Sequence, residues 1–494
     1  MPEYLQPGVY IEEIGRGPKP IEGVPTSTAA FLGCTERGPI TPRLVTSQAE
    51  YARGFGGLCG DAHYMPYAVR GFFENGGKRM IVCRIVSGAA TPAEATFGDF
   101  TVRAIDPGSW GRRIFMKIEA GATESRFRLR VAYYAALPAE PPVGWFNEPA
   151  QAPIPTLAEI FDDLEMDAQS PNFWARRLND SALVMLERNA GASADEIPAP
   201  AFGQLTVNGT DEDAALDVVD FQPALAALER DAYRDVSLVH APGASIAVNQ
   251  AVIAHCEKLK VRFAVVDADQ NADVAQLQPR STIQDSPYAA LYAPWIIVPD
   301  LETGGQRQVP PGGHMLGVYA RTDSERGVFK APANEVLRGV TGLTTAINSA
   351  TQEILNPRGI NAIRRFAGRG IRVWGARTLT SDAQWKYVNV KRLFIFLERS
   401  IDEGTQWVVF EPNNESLWAR VKDTIRLFLR AQWRAGALLG SKEEHAFFIT
   451  CDRTTMSEED ILNGRLICEI GVAPLRPAEF VIFRIFQKTA EAQR

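Results

Sequence analysis

The chain has 494 residues, 46% of them hydrophobic and 22% charged, with a formal net charge of −7. That is ordinary globular composition with room for two to four domains, so disorder is excluded as the default and a basic duplex-binding domain has no support. The six cysteines (Cys34, Cys59, Cys83, Cys256, Cys451, Cys468) are scattered without a CxxC pair, and no two of the five histidines stand at i, i+4. The expectation is therefore reduced thiols, no metal cluster and no cofactor.

The N-terminal segment carries Pro2, Glu3, Pro7 and Glu12 where a signal peptide needs basic residues followed by an apolar core. No run of about eighteen apolar residues occurs, so neither a secretory leader nor a membrane span is expected.

In chain order, residues 1–20 read as an extended arm. Its β-prone run Val9-Tyr10-Ile11-Glu12-Glu13-Ile14 is closed by Gly15, Gly17, Pro18 and Pro20. Residues 24–35 and 79–86 read as buried strands, with helices over 47–55 and 64–75 between them. From 97 to 215 alternating apolar and polar residues, interrupted by Pro/Ala/Glu stretches, suggest an inserted β-rich outer domain.

The α/β pattern then returns. Strands over 235–239 and 262–267 joined by a helix over 245–259 make a parallel βαβ unit, and a further buried strand is expected over 293–298. The expected organisation is an α/β core in two parts (21–96 and 216–345), a C-terminal α+β domain over 346–478 and a terminal arm over 479–494. The fold class is thus mixed α/β and α+β, multidomain. The last arm carries Phe480-Val481-Ile482-Phe483-Arg484-Ile485-Phe486. Apolar strands at both ends with no sheet of their own are open edges that seek a partner.

Catalytic constellations are hard to assemble. Neither GxxxxGK[ST] nor GxSxG occurs, and Gly54-Phe55-Gly56-Gly57 reads as a turn. Asp267 and Asp269 end a parallel strand, where α/β enzymes keep their sites, and His240 could share that edge; no nucleophile accompanies them. An enzyme or ligand-binding module at the Asp267/Asp269 edge is the alternative reading.

A stronger signal lies between 417 and 440. Trp418, Val421, Ile425, Phe428, Leu429 and Gln432/Trp433 recur at three and four, the spacing of a buried stripe. Lys422, Arg426, Arg430 and Arg434 follow at i+4 on another face, a basic ridge about 18 Å long. A solvated face, a dock for an acidic partner, or a nucleic-acid contact are the three readings open.

The strings Tyr4-Leu5-Gln6-Pro7-Gly8-Val9-Tyr10-Ile11-Glu12-Glu13, Thr26-Ser27-Thr28-Ala29-Ala30-Phe31-Leu32-Gly33, Glu36-Arg37-Gly38-Pro39 and Gly108-Ser109-Trp110-Gly111 occur in this order. They are followed by Asn356-Pro357-Arg358-Gly359-Ile360-Asn361, Tyr387-Val388-Asn389-Val390-Lys391-Arg392-Leu393 and Phe410-Glu411-Pro412-Asn413. Together they resemble the contractile tail sheath family of phage tails, R-type bacteriocins and extracellular injection systems.

The resemblance implies a structural, non-enzymatic subunit. It would be assembled in the bacterial cytoplasm as stacked six-fold rings around an inner tube, with baseplate and terminal cap proteins as further partners. Nucleic-acid binding and direct membrane insertion are not implied. Val9, Tyr10, Ile11, Glu12 and Ile14, with Val481, Ile482, Phe483, Arg484, Ile485 and Phe486, would add strands to neighbouring subunits. Lys422, Arg426, Arg430 and Arg434 would face the tube. Contraction without nucleotide hydrolysis would then drive the tube through a membrane.

Overall fold

The computed structural model describes residues 20–58, 60, 63–189, 196–211, 216–301 and 303–484. The chain divides into two compact units, Pro25–Arg392 and a second that joins residues up to Val24 with Leu393–Arg494.

The first unit is organised on an eight-stranded sheet. Its order is Gly370–Trp374, Ile360–Phe366, Ala289–Ala293, Phe263–Asp267, Leu238–His240, Ala29–Gly33, Met80–Arg84 and Arg43–Val45. The six inner strands run parallel and the two outermost antiparallel. Parallel strands are covered on both faces, which is why Phe263–Asp267 and Ala289–Ala293 are buried at every position.

The crossover helix Ile246–Leu259 starts at Ser245, whose hydroxyl accepts from the Val248 amide. It stops at Lys260, held in the left-handed region at φ 61°. Elsewhere in the unit, the helices Met65–Glu74 and Gly312–Arg326 approach so closely that a Cβ on Gly313 would fall 2.5 Å from Ala68 Cα. Only glycine permits that contact.

Asp323, near the end of Gly312–Arg326, forms a buried ion pair with Arg392 at 2.5 Å and accepts from the Thr26 hydroxyl at 2.7 Å. Both ends of this unit are therefore tied to one carboxylate. Removing one member of such a buried pair costs about 3–5 kcal/mol.

Two expectations are corrected here. The single strand expected over 293–298 is two: Ala289–Ala293 lies in the parallel sheet, whereas Ile296–Pro299 pairs with Gln306–Val309 in a separate three-stranded sheet. Residues after 346 do not leave the core at once, because Ile360–Phe366 pairs in parallel with Ala289–Ala293. The unit boundary falls at Leu393, within the helix Val388–Thr405.

Between Thr91 and Thr210 the chain forms two four-stranded antiparallel sheets. Their inner residues, among them Phe100, Trp110, Phe127, Leu129 and Val131, form a second core. Arg126–Tyr133 alternates as expected of a half-covered strand: Phe127, Leu129 and Val131 are buried while Arg126, Arg128 and Arg130 are half-buried. Glu36 binds this body to the parallel sheet. It pairs with Arg113 at 3.0 Å, accepts from the Tyr133 hydroxyl and accepts from the Gly57 amide at 2.6 Å.

The second unit contains the helix Glu415–Arg434 and a two-stranded antiparallel sheet of Phe447–Thr450 and Glu469–Val472. No helix among the described residues is long and apolar enough to cross a membrane.

Candidate assembly and docking surfaces

The small sheet is the first candidate surface. Its register runs from Phe447↔Val472 to Thr450↔Glu469. The Ala473 amide donates to the Ala446 carbonyl at 2.9 Å, one step before this register. Alternation from that bond turns the backbone groups of Phe447, Ile449, Ile470 and Val472 away from the partner strand. Among the described residues no third strand joins either side over 447–450 or 469–472; just beyond, Leu438 bridges Pro474 and the Leu439 amide donates to the Ala473 carbonyl at 2.8 Å. The Phe447 amide already donates to the Glu443 carbonyl, so the open edges lie at Ile449 on one strand and at Ile470 and Val472 on the other, and an isolated two-stranded pair is marginal in water.

The C-terminal arm follows. Phe480, Val481, Ile482 and Phe483 are 68–82% exposed and in no regular element, with Arg484 exposed beside them. Four consecutive apolar residues in water are an unsatisfied surface. Ile485 and Phe486 of the same arm, and Val9, Tyr10, Ile11, Glu12 and Ile14 of the N-terminal one, lie outside the described residues.

The basic ridge is the second candidate. The helix Glu415–Arg434 is capped by Asn414, whose side chain accepts from the Leu417 amide. Trp418, Val421, Ile425, Phe428 and Leu429 are buried as the spacing requires. Lys422, Arg426, Arg430 and Arg434 share another face but not one environment. Arg426 and Arg430 both bind Glu443, at 2.5 and 2.7 Å, and the two guanidinium groups hold its carboxyl below the usual range. Lys422 is half-buried and lowers the Asp452 carboxyl, whose main stabilisation is the Thr454 hydroxyl. Arg434 is exposed at the last turn, where a cation suits the helix dipole. Glu443, which precedes the strand Phe447–Thr450, is the member that spacing along the helix did not reveal.

Phe410 was missed as well. It is fully exposed and holds φ 68°, in the left-handed region that a bulky residue rarely enters.

At the alternative site the Asp267 carboxylate is held by the chain's own groups. Asp267 is 4% exposed, and its carboxylate accepts from the amides of Gly312 at 2.8 Å and Gly243 at 3.4 Å, with His240 Nε2 at 3.5 Å. Burial pushes its carboxyl pKa up, opposed by His240 and those amides. It therefore fastens the start of Gly312–Arg326 to the loop after Leu238–His240. Asp269 accepts from the Asn271 amide at 3.1 Å, as a turn residue does. A cavity of about 370 Å³ lies beside them, lined by Tyr64, Asn249 and Trp295 among others. Among the described residues no group of His, Cys, Asp and Glu is placed to hold a metal ion.

Residues 214–379 match the family described as phage tail sheath protein central domain, and residues 380–488 match the phage tail sheath C-terminal domain. A Pseudomonas aeruginosa prophage protein described as a major tail sheath protein is 27% identical over 256 residues, covering 50% of this chain and 64% of that protein. The matched stretches span between 26% and 64% of the curated relatives' own lengths.

The anti-feeding prophage helical sheath in its contracted state is similar over 98% of this chain and 99% of that one, at 25% identity and a TM-score of 0.62. The sheath complex of an extracellular contractile injection system, PVC, also in its contracted state, gives 24% identity and a TM-score of 0.60 over the full length of both chains.

Proposed function

The chain belongs to the phage tail sheath family, and from that premise we propose that it polymerises with its own copies as stacked six-fold rings around an inner tube. The family is structural, which leaves the Asp267/Asp269 edge no catalytic role. The particle is a phage tail or a tail-like injection system, assembled in the bacterial cytoplasm, with baseplate and cap proteins closing its ends. Shortening and widening of the sheath drives the tube through a target membrane, using free energy stored during assembly.

The observation that carries this reading is the small sheet, whose edges at Ile449 and at Ile470 and Val472 meet no third strand among the described residues, in the unit that also carries the exposed Phe480–Phe483 run. Strand addition supplies main-chain hydrogen bonds to such an edge and pockets for alternate side chains. Val9, Tyr10, Ile11, Glu12 and Ile14 of one neighbour and Val481, Ile482, Phe483, Arg484, Ile485 and Phe486 of another are the strands assigned to it.

The ridge Lys422, Arg426, Arg430 and Arg434 faces an acidic tube surface. Glu443 offsets one of its charges, so Arg434 carries the least compensated cation.

Deleting residues 1–20 or 479–494 leaves a folded monomer that forms no sheaths in electron micrographs. Normal sheaths from both deletions contradict strand exchange.

A further inference from the structure

One step beyond Thr450↔Glu469 in the small sheet stand Cys451 and Cys468. Continuing the ladder by that one step would make them a non-hydrogen-bonded pair, the kind whose Cα atoms lie about 4.5 Å apart in a regular ladder. A disulfide spans Cα separations of roughly 4.4–6.8 Å. The two thiols lie close enough to act on each other's ionisation: beside the burial that raises both, Cys451 raises Cys468 further and Cys468 opposes the rise of Cys451. Cys451 is 1% exposed but lines an open groove of about 410 Å³ with Trp418, Lys422 and Asp452, while Cys468 is partly exposed.

We propose that Cys451 and Cys468 are a modification site, an intrachain disulfide formed on contact with a low-molecular-weight disulfide, which staples the two strands of the small sheet together. The partly exposed Cys468 enters first. Its thiolate attacks one sulfur of the small disulfide, forming a mixed disulfide and expelling one thiolate. The Cys451 thiolate then attacks the Cys468 sulfur and expels the second. Two protein thiols and one small disulfide become one protein disulfide and two small thiols; both electrons go to the reagent, and the two protons lost by the protein end on its thiols.

Burial pushes the Cys468 thiol up to about 12 and raises Cys451 too, so exchange is slow at neutral pH and quickens as pH rises. Cys34, Cys83 and Cys256 are buried, at 0–8% exposure.

The test treats the reduced full-length protein with oxidised glutathione, quenches with acid, alkylates in denaturant and maps peptides by mass spectrometry. The expected result is loss of two alkylatable thiols and one peptide pair joined through Cys451 and Cys468. In Cys451→Ser the resolving thiol is gone, so Cys468 retains glutathione instead. Recovery of both cysteines alkylated, or crosslinks only between chains, overturns the proposal; the wild-type map decides it even if the variant fails to fold.

Discussion

The eight-stranded and the two-stranded sheet of this chain solve opposite problems. The eight-stranded sheet is finished within the chain: its inner strands are buried, and the outer side of Gly370–Trp374 is met by 334–337 through backbone bonds of 2.8–3.0 Å. Its other edge, Arg43–Val45, is three residues long, which limits its use as a template. Among the described residues the two-stranded sheet is closed at one end only, where 437–439 meets 473–475 through backbone bonds of 2.8–3.5 Å, and the arm leaves Phe480 to Phe483 in water. One sheet is closed within the described residues, and the other is the one that the proposed function completes with strands of neighbouring subunits. Perturbations of the first should cost stability, and perturbations of the second should cost assembly.

The largest expected effect is acid destabilisation of the core unit. Burial pushes the pKa of His255 down to about 4 and of His314 to about 3, assisted by Arg262 and Arg70 respectively. Arg262 approaches His255 Nε2 at 2.7 Å, which requires a neutral ring. These folded-state pKa values lie below the unfolded value of about 6.5, so above that pH neither histidine affects stability. As pH falls from 6.5 toward 4 the unfolded chain gains protons that the folded one refuses. By pH 5 each histidine costs about 2 kcal/mol. Asp267, whose folded pKa is raised, works in the opposite direction and offsets part of the loss. Urea titrations at pH 8 and pH 5 should show the core transition moving to lower denaturant. The C-terminal unit has no buried histidine among its described residues, and its transition should move less. Equal stability of the core unit at both pH values contradicts the assignment.

A smaller effect on stability is expected from reversing Arg426 and Arg430 to Glu. Partly exposed ion pairs are worth about 0–1 kcal/mol each, and the reversal adds repulsion from Glu443, so the monomer should lose on the order of 1 kcal/mol in denaturant titration. Co-sedimentation with the inner tube should be lost outright. Unchanged co-sedimentation reduces this face to a solvated one.

How much was legible in the sequence depended on the range of the interactions involved. The βαβ unit from Leu238 to Asp267 was readable because strands covered on both faces leave uninterrupted apolar runs. The buried stripe from Trp418 to Leu429 was readable because helical neighbours recur locally. Pairing of Ile360–Phe366 with Ala289–Ala293 was not, since a strand's apolar pattern does not name its partner some 70 residues away. Glu443 and the Cys451–Cys468 pair escaped for the same reason: each meets its partner only after the small sheet and its neighbouring helix have folded. Much of the arms, namely Val9, Tyr10, Ile11, Glu12, Ile14, Ile485 and Phe486, lies outside the described residues, and their assignment rests on pattern and resemblance.

The central claim is that the small sheet is completed by other subunits. Hydrogen exchange read by mass spectrometry over 447–450 and 469–472, in monomer and in assembled sheath, tests it most directly. The account predicts that the outward-facing amides of Ile449, Ile470 and Val472 exchange fast in the monomer and become protected at least about 100-fold on assembly. The same exchange in both states would contradict it.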